Sequence, residues 1–207
     1  NNNKNEHKHS LQPKLDGVRC VVYIKDGELV AKSRTGQTFV SCSAILKVLT
    51  PIFEKHPNII LDGELYSESL PFEELVGLVK VQKPMVQCSF EYYIYDMLEH
   101  TDSRTFSQRF YNSAVVQELS GLQYISVVET GICNTLEDVQ SCFGKHKLKY
   151  EGSIVRNESR YEQKRSINLM KLKDKKEDEF LIVGFKEGKG REKGLVIWEC
   201  ETENGDR

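Results

Sequence analysis

Apolar and polar positions alternate from Val18 to Lys25, the two-residue period of a half-buried strand. Asp26-Gly27 supplies a turn that tolerates positive φ, and Glu28 to Ser33 resumes the extended pattern, so the three segments predict a hairpin. The period then changes. Ile45, Leu46, Val48 and Leu49 share one helical face after a Ser-rich start, and Ile59 to Tyr66, short, β-branched and preceded by Pro57-Asn58, reads as a strand. Pro71 in a first turn followed by Glu73 and Glu74 predicts a helix to about Lys80. Glu91 to Leu98 is an aromatic-rich strand, Ser103 to Leu119 one long helix, and Tyr124 to Val128 extended. Thr135 to about Lys147 is helical with Asn134 as cap for Glu137. Strands follow at Ser153 to Arg156 and Asn168 to Lys173, and the pattern shows no internal repeat.

Lys173 to Glu179 is a seven-residue charged run and the best interdomain linker. Phe180 to Phe185 opens a new strand beyond it, Leu195 to Glu201 makes a second, and Asn204-Gly205 offers a hairpin turn. A length of 207 residues, against a prior of about 150 per domain, fits one substantial domain and a remainder.

Composition narrows the class. Apolar residues are 39% of the chain and charged residues 29%, enough to build a core and too apolar for a disordered chain. No apolar run reaches the roughly 18 residues of a membrane span and no signal-peptide pattern opens the chain, so a soluble, intracellular, non-secreted protein is expected. The cysteines (Cys20, Cys42, Cys88, Cys133, Cys142, Cys200) are scattered and read as reduced, packed thiols; His7 and His9 lack neighbouring ligands for a metal. Net charge is only -2, but Asp62 to Asp102 holds nine acids against two lysines, whereas Lys164 to Lys193 holds ten bases against six acids. That asymmetry fits a face or cleft that meets polyanions, and it also fits an ordinary solvated surface.

Candidate chemistry begins at Pro13-Lys14-Leu15-Asp16-Gly17-Val18-Arg19, just before the first strand. A lysine there is nucleophilic if desolvation or nearby positive charge keeps its amine neutral. Gly17 lets the backbone approach a ligand and Arg19 offers a fork for ribose or phosphate oxygens. A surface lysine before an ordinary Asp-Gly turn explains the segment equally well. Further along stand, in order, Ser33-Arg34-Thr35-Gly36, Leu61-Asp62-Gly63-Glu64-Leu65, Tyr93-Ile94-Tyr95-Asp96, Tyr150-Glu151-Gly152-Ser153-Ile154-Val155 and Leu169-Met170-Lys171-Leu172-Lys173. With these colinear segments the chain, from about Gln12 onward, resembles the covalent nucleotidyltransferases, specifically the ATP-dependent DNA ligases.

The resemblance implies roles residue by residue. Lys14 matches the lysine that attacks the α-phosphate of ATP to form lysine-AMP, and Lys171 and Lys173 match the lysines that hold that phosphate; their field also favours a neutral Lys14. Glu151 matches a ligand of the catalytic Mg²⁺, and Glu64 a residue that accepts from a ribose hydroxyl and joins the metal site, with Asp62 in support. Tyr95 falls where the family stacks an aromatic on adenine, although core packing rivals that role. Gln12 lies where the adenine amino group is read, a place at which many DNA ligases carry an acid. Arg34 matches an arginine on the 5′-phosphate side of the nick. Arg104 and Arg109 resemble a segment preceding a helix and carry no catalytic role.

The implied architecture is α+β, an antiparallel-sheet-rich, ATP-grasp-like nucleotidyltransferase domain over residues 12–176, preceded by a flexible arm over 1–11. Residues 177–207 resemble the start of an OB-fold β-barrel, whose Gly188-Lys189-Gly190-Arg191 loop would touch DNA phosphates through Lys189 and Arg191. Those 31 residues fall short of the roughly 70 to 100 of a small OB domain, so an incomplete second domain is expected. The layout is similar to compact phage and large-DNA-virus ligases. The implied activity is ATP- and Mg²⁺-dependent sealing of nicked duplex DNA by a monomer, in replication, repair or recombination. An RNA ligase, an mRNA-capping guanylyltransferase and a non-catalytic nucleic-acid-binding derivative are the alternatives.

Overall fold

Strict alternation closes the first hairpin: β2 (Val18–Lys25) and β3 (Glu28–Lys32) pair antiparallel across Asp26 and Gly27, whose φ angles of 53° and 83° make a two-residue primed turn. The computed structural model describes residues 8–99, 103–174, 179–202 and 205. Two units contain them, residues 1–173 and 174–207. Both are mixed or all-β with mainly antiparallel pairing, as expected, and among the described residues no helix is long and apolar enough to cross a membrane.

The larger sheet of the first unit has the order β3-β2-β4-β5-β6, with β4 (Ile59–Tyr66), β5 (Glu91–Glu99) and β6 (Ile125–Val127). One face is apolar. Cys20, Val22, Leu61, Tyr92 and Ile94 are buried there against Ile45, Leu49 and Phe53 of α1 (Ser43–Lys55) and Leu75 and Val79 of α2 (Phe72–Val79). The opposite face carries Arg19, Glu64 and Tyr93, which stand in register across β2, β4 and β5. A bulge between Asp62 and Gly63 inserts Tyr95 as the extra residue of β5, a device common beside functional sites.

The second sheet has the order β7-β1-β8-β9, formed by β7 (Gly131–Cys133), β1 (His9–Lys14), β8 (Gly152–Asn157) and β9 (Leu169–Leu172). Leu11, Cys133 and Val155 make a small core on one face with Val139 and Cys142 of α4 (Leu136–His146). The other face carries Gln12, Ile154 and Lys171 in one row, with Lys14 opposite Gly152 at its end.

Several expectations shift. His9 to Leu11 belong to an interior strand paired on both sides, so within the described residues the arm reading gives way to β1. The long helix from Ser103 is two short ones, a π-turn at Ser107–Tyr111 and α3 (Ala114–Leu119), because Asn112 and Ser113 favour caps over helix interiors. The cap of α4 is Thr135 with Asp138, one residue later than Asn134 with Glu137; the Thr135 hydroxyl accepts from the Asp138 amide at 3.1 Å and the Asp138 carboxylate answers. Pro71 precedes the first turn of α2 by one residue.

In the second unit β10 (Leu181–Glu187) and β11 (Val196–Glu201) form an antiparallel hairpin joined by a loop with a 3₁₀ turn at Gly190–Glu192. Among the described residues this pair closes no barrel, and Asn204 of the expected turn lies outside them.

Candidate functional site

Lys14 ends β1 at a place where both sheets send polar side chains. Its ammonium pairs with the Glu151 carboxylate, and Lys173 donates to the other oxygen of the same carboxylate at 3.3 Å. The backbone supports the pair, since the Glu151 amide donates to the Lys14 carbonyl at 3.2 Å. Burial and then the field of Lys171, with Lys173 adding to it, pull the Lys14 amine below the ordinary lysine range, while Asp16 and Glu64 oppose the shift. The Glu151 contact favours the charged amine. Burial and the neighbouring lysines thus act on Lys14 against its ion pair with Glu151.

Glu64 reaches this cluster from β4. Its burial, and the nearby Asp62 charge, push its carboxyl up to about 8, with Lys14 and Arg19 pulling the other way. Asp62 is buried and accepts from four donors: Arg19 Nε at 2.9 Å and Nη2 at 2.8 Å, Tyr95 Oη at 3.1 Å and Tyr161 Oη at 2.6 Å. A bidentate arginine and two phenols leave this carboxylate little capacity for another ligand. Arg19 is thus half-buried and engaged. Tyr95 is fixed through its hydroxyl, and burial raises its phenol well above the usual range.

Two glycines show why the motifs read as they do. A Cβ on Gly17 would lie 2.4 Å from the Leu65 carbonyl oxygen and 2.8 Å from Glu64 Cγ, so the close approach that Gly17 permits is to β4, where a ligand had been expected. A Cβ on Gly63 would lie 2.5 Å from the Tyr93 carbonyl oxygen and 2.6 Å from the Tyr92 ring. Substitution at either must displace β-sheet backbone.

Lys14, Arg19, Glu64, Tyr95, Glu151, Lys171 and Lys173 all lie on the strands or strand ends that surround this cluster. Lys171 is exposed on β9 and Lys173 follows its last residue. Gln12 shares the Lys14 face of β1, but its side chain is buried and bonded at both ends, to Arg156, the Tyr95 carbonyl and Thr130. Arg34 is exposed in the turn closed by Ser33 and Gln37. Lys189 and Arg191 are exposed in the β10–β11 loop of the other unit.

The sequence reading missed a buried ionic group beside the site. Asp96 accepts from Arg109 at 2.8 and 2.9 Å and from Arg156 Nη1 at 3.0 Å, and it ties β5 to β8. Arg109 and Asp96 are almost fully buried, where an unpaired charge would cost several kcal/mol. A sequence signal was a cation, Arg156, directly after Ile154-Val155 in a strand.

Among the described residues no three or more His, Cys, Asp or Glu side chains gather as a metal cage. Glu64 and Glu151 are two hard carboxylates at Lys14, a donor set that suits Mg²⁺ held jointly with phosphate oxygens rather than by protein alone.

The chain that carries this site resembles proteins already known. A family model described as an ATP dependent DNA ligase domain matches residues 2–173. A DNA ligase of African swine fever virus (isolate Tick/South Africa/Pretoriuskop Pr4/1996) is 29% identical over 208 residues, covering 95% of this chain and 49% of the viral protein. The chain thus spans about half the length of that relative. A structure from work on Lig E DNA ligases superposes with a TM-score of 0.75 at 20% identity, over 99% of this chain and 77% of that one. A bacteriophage T7 ATP-dependent DNA ligase in complex with ATP gives 0.61 at 18% identity, over 97% of this chain and 73% of that one. At these identities the structures show a shared fold.

Proposed function

We propose that this chain, which belongs to the ATP dependent DNA ligase domain family, takes AMP from ATP onto Lys14 and serves the sealing of nicked duplex DNA. The observation that carries the reading is the meeting, around one half-buried lysine, of Glu64 and Glu151 with Lys171 and Lys173.

In the first step the neutral Lys14 amine attacks the α-phosphorus; an N–P bond forms, the bond to the bridging oxygen breaks, and pyrophosphate departs with that electron pair. The amine proton is lost to solvent. Phosphoryl transfer leaves the protein mainly positioning and charge stabilisation, which Lys171 and Lys173 supply at the α-phosphate. Glu151 and Glu64 would hold Mg²⁺, which when bound neutralises charge on the phosphate oxygens. A Glu151 carboxylate committed there no longer holds a proton on Lys14, so the metal ligand and the nucleophile's counter-ion are one residue. The Tyr95 ring and Gln12 form the base-reading wall. In the later steps AMP passes to the DNA 5′-phosphate and the adjacent 3′-hydroxyl displaces it, with Arg34, Lys189 and Arg191 meeting phosphates.

Incubation with Mg²⁺ and ATP or GTP labelled at the α-phosphate tests this. Label transferred to protein from ATP, and far less from GTP, is the expected result. Transfer from GTP alone would support a capping-type guanylyltransferase and overturn the ligase reading.

A further inference from the structure

Gln12 has almost no hydrogen-bonding freedom. Its Nε2 spends both protons, on the Tyr95 carbonyl at 3.0 Å and on Thr130 Oγ1 at 3.0 Å, and its Oε1 accepts from Arg156 Nε at 2.7 Å. A carboxamide nitrogen has two protons and its oxygen two lone pairs, so what remains to Gln12 is one acceptor lone pair. Turning the amide over would set NH₂ against a guanidinium N–H and Oε1 against a carbonyl oxygen, donor on donor and acceptor on acceptor.

Arg156 cannot move aside to permit this. Its Nη1 donates to Asp96 at 3.0 Å, and Asp96 is fully buried and held by Arg109 at 2.8 and 2.9 Å and by the Met97 amide at 2.9 Å. The guanidinium also lies against the Phe106 ring, 4.8 Å from its centroid, and the Tyr95 ring at 5.4 Å. Arg156 therefore touches both members of the base-reading wall.

We propose that Arg156, anchored by Asp96, is a positioning residue that locks the Gln12 amide as an acceptor and so makes the site select a purine with an amino group at C6 over one with an oxo group. The inference rests on the proposed role of Gln12 in base reading and supplies the selectivity that Gln, an amide that could present either end, does not have by itself. An acceptor lone pair meets the adenine amino group with a hydrogen bond and meets the 6-oxo group of guanine or hypoxanthine with repulsion. A flipped amide would do the reverse.

ATP and ITP probe this, because the change between them is confined to the 6-position edge of the base. Equilibrium titration of chelator-treated protein, in which the covalent step is blocked, should show wild type preferring ATP by about tenfold or more, the scale of one discriminating hydrogen bond. In Arg156→Met the preference should fall to within about twofold, with ITP gaining affinity, and in Arg156→Lys part of it should return. Removal of a buried partner of Asp96 threatens folding, so melting curves accompany each variant. Thr130→Val leaves the charges intact, removes one acceptor that orients the amide, and should lower the preference several-fold. An unchanged ATP preference in folded Arg156→Met, or in Thr130→Val where Arg156→Met does not fold, overturns the inference while the nucleotide-cleft reading stands. Absence of binding of either nucleotide to wild type overturns both.

Discussion

Glu64 is the residue at which environment and chemistry diverge most. Its folded pKa of about 8 stands above the ordinary 4.5, chiefly because burial disfavours the charged form. A carboxyl raised in this way contributes full stability below pH 4.5 and loses it as pH rises toward 8, because the unfolded chain ionises freely and the folded one does not. In chelator, Glu64→Gln should therefore melt higher than wild type at pH 8, by roughly 10 °C, with the gap closing near pH 4.5. Differential scanning calorimetry at the two pH values checks it; equal melting at both would mean that the Glu64 carboxylate is already compensated. Lys14, Glu64 and Glu151 were legible in the sequence through the resemblance, because each sits in a short segment that matches one of its motifs. Tyr161, Asp96 and Arg156 were not. Tyr161 reaches Asp62 across 99 residues of chain, and Arg156 reaches Gln12 across 144. No local spacing encodes such partnerships.

At the scale of elements, α4 depends on its ends. None of its residues is fully buried, so tertiary packing contributes less than it does to α1, and the Thr135–Asp138 capping box matters more. Thr135→Ala should lower stability by about 1 kcal/mol, a shift of roughly 2–4 °C in Tm for a chain of this size, whereas Asn134→Ala should leave it nearly unchanged. Thermal melts of the two variants decide whether the cap lies at 135 or, as sequence alone suggests, at 134. The β2–β3 hairpin and β4 were readable because period and turn chemistry agreed. β1 was hidden because Pro13 argues against an interior strand. The structure resolves this: β7 pairs only as far as Leu11, so at Pro13 one side of β1 has no ladder to supply. Pro51 inside α1 is a similar conflict, and buried Ile52 and Phe53 hold the helix to the core beyond it.

For the whole molecule, the decisive arrangement is a pair of sheets that bury apolar faces against separate sets of helices and carry their polar faces on the nucleophile's side. The hydrogen bonds from Gln12 to the Tyr95 carbonyl and from Arg156 to Asp96 cross from one sheet to the other, so the site and the inter-sheet contact are the same structure. Fold class was legible from alternation and motif order. The inter-sheet ionic group was not, since burial of charge is a property of the assembled fold.

The proposed chemistry turns on AMP carried by Lys14. Stoichiometric protein, incubated at length with ATP and Mg²⁺ and then digested for peptide-mapping mass spectrometry, measures it directly. The expected result is a single AMP on the peptide containing Lys14, absent from Lys14→Ala; AMP on another residue, or no adduct on the wild-type protein, would remove Lys14 as the nucleophile.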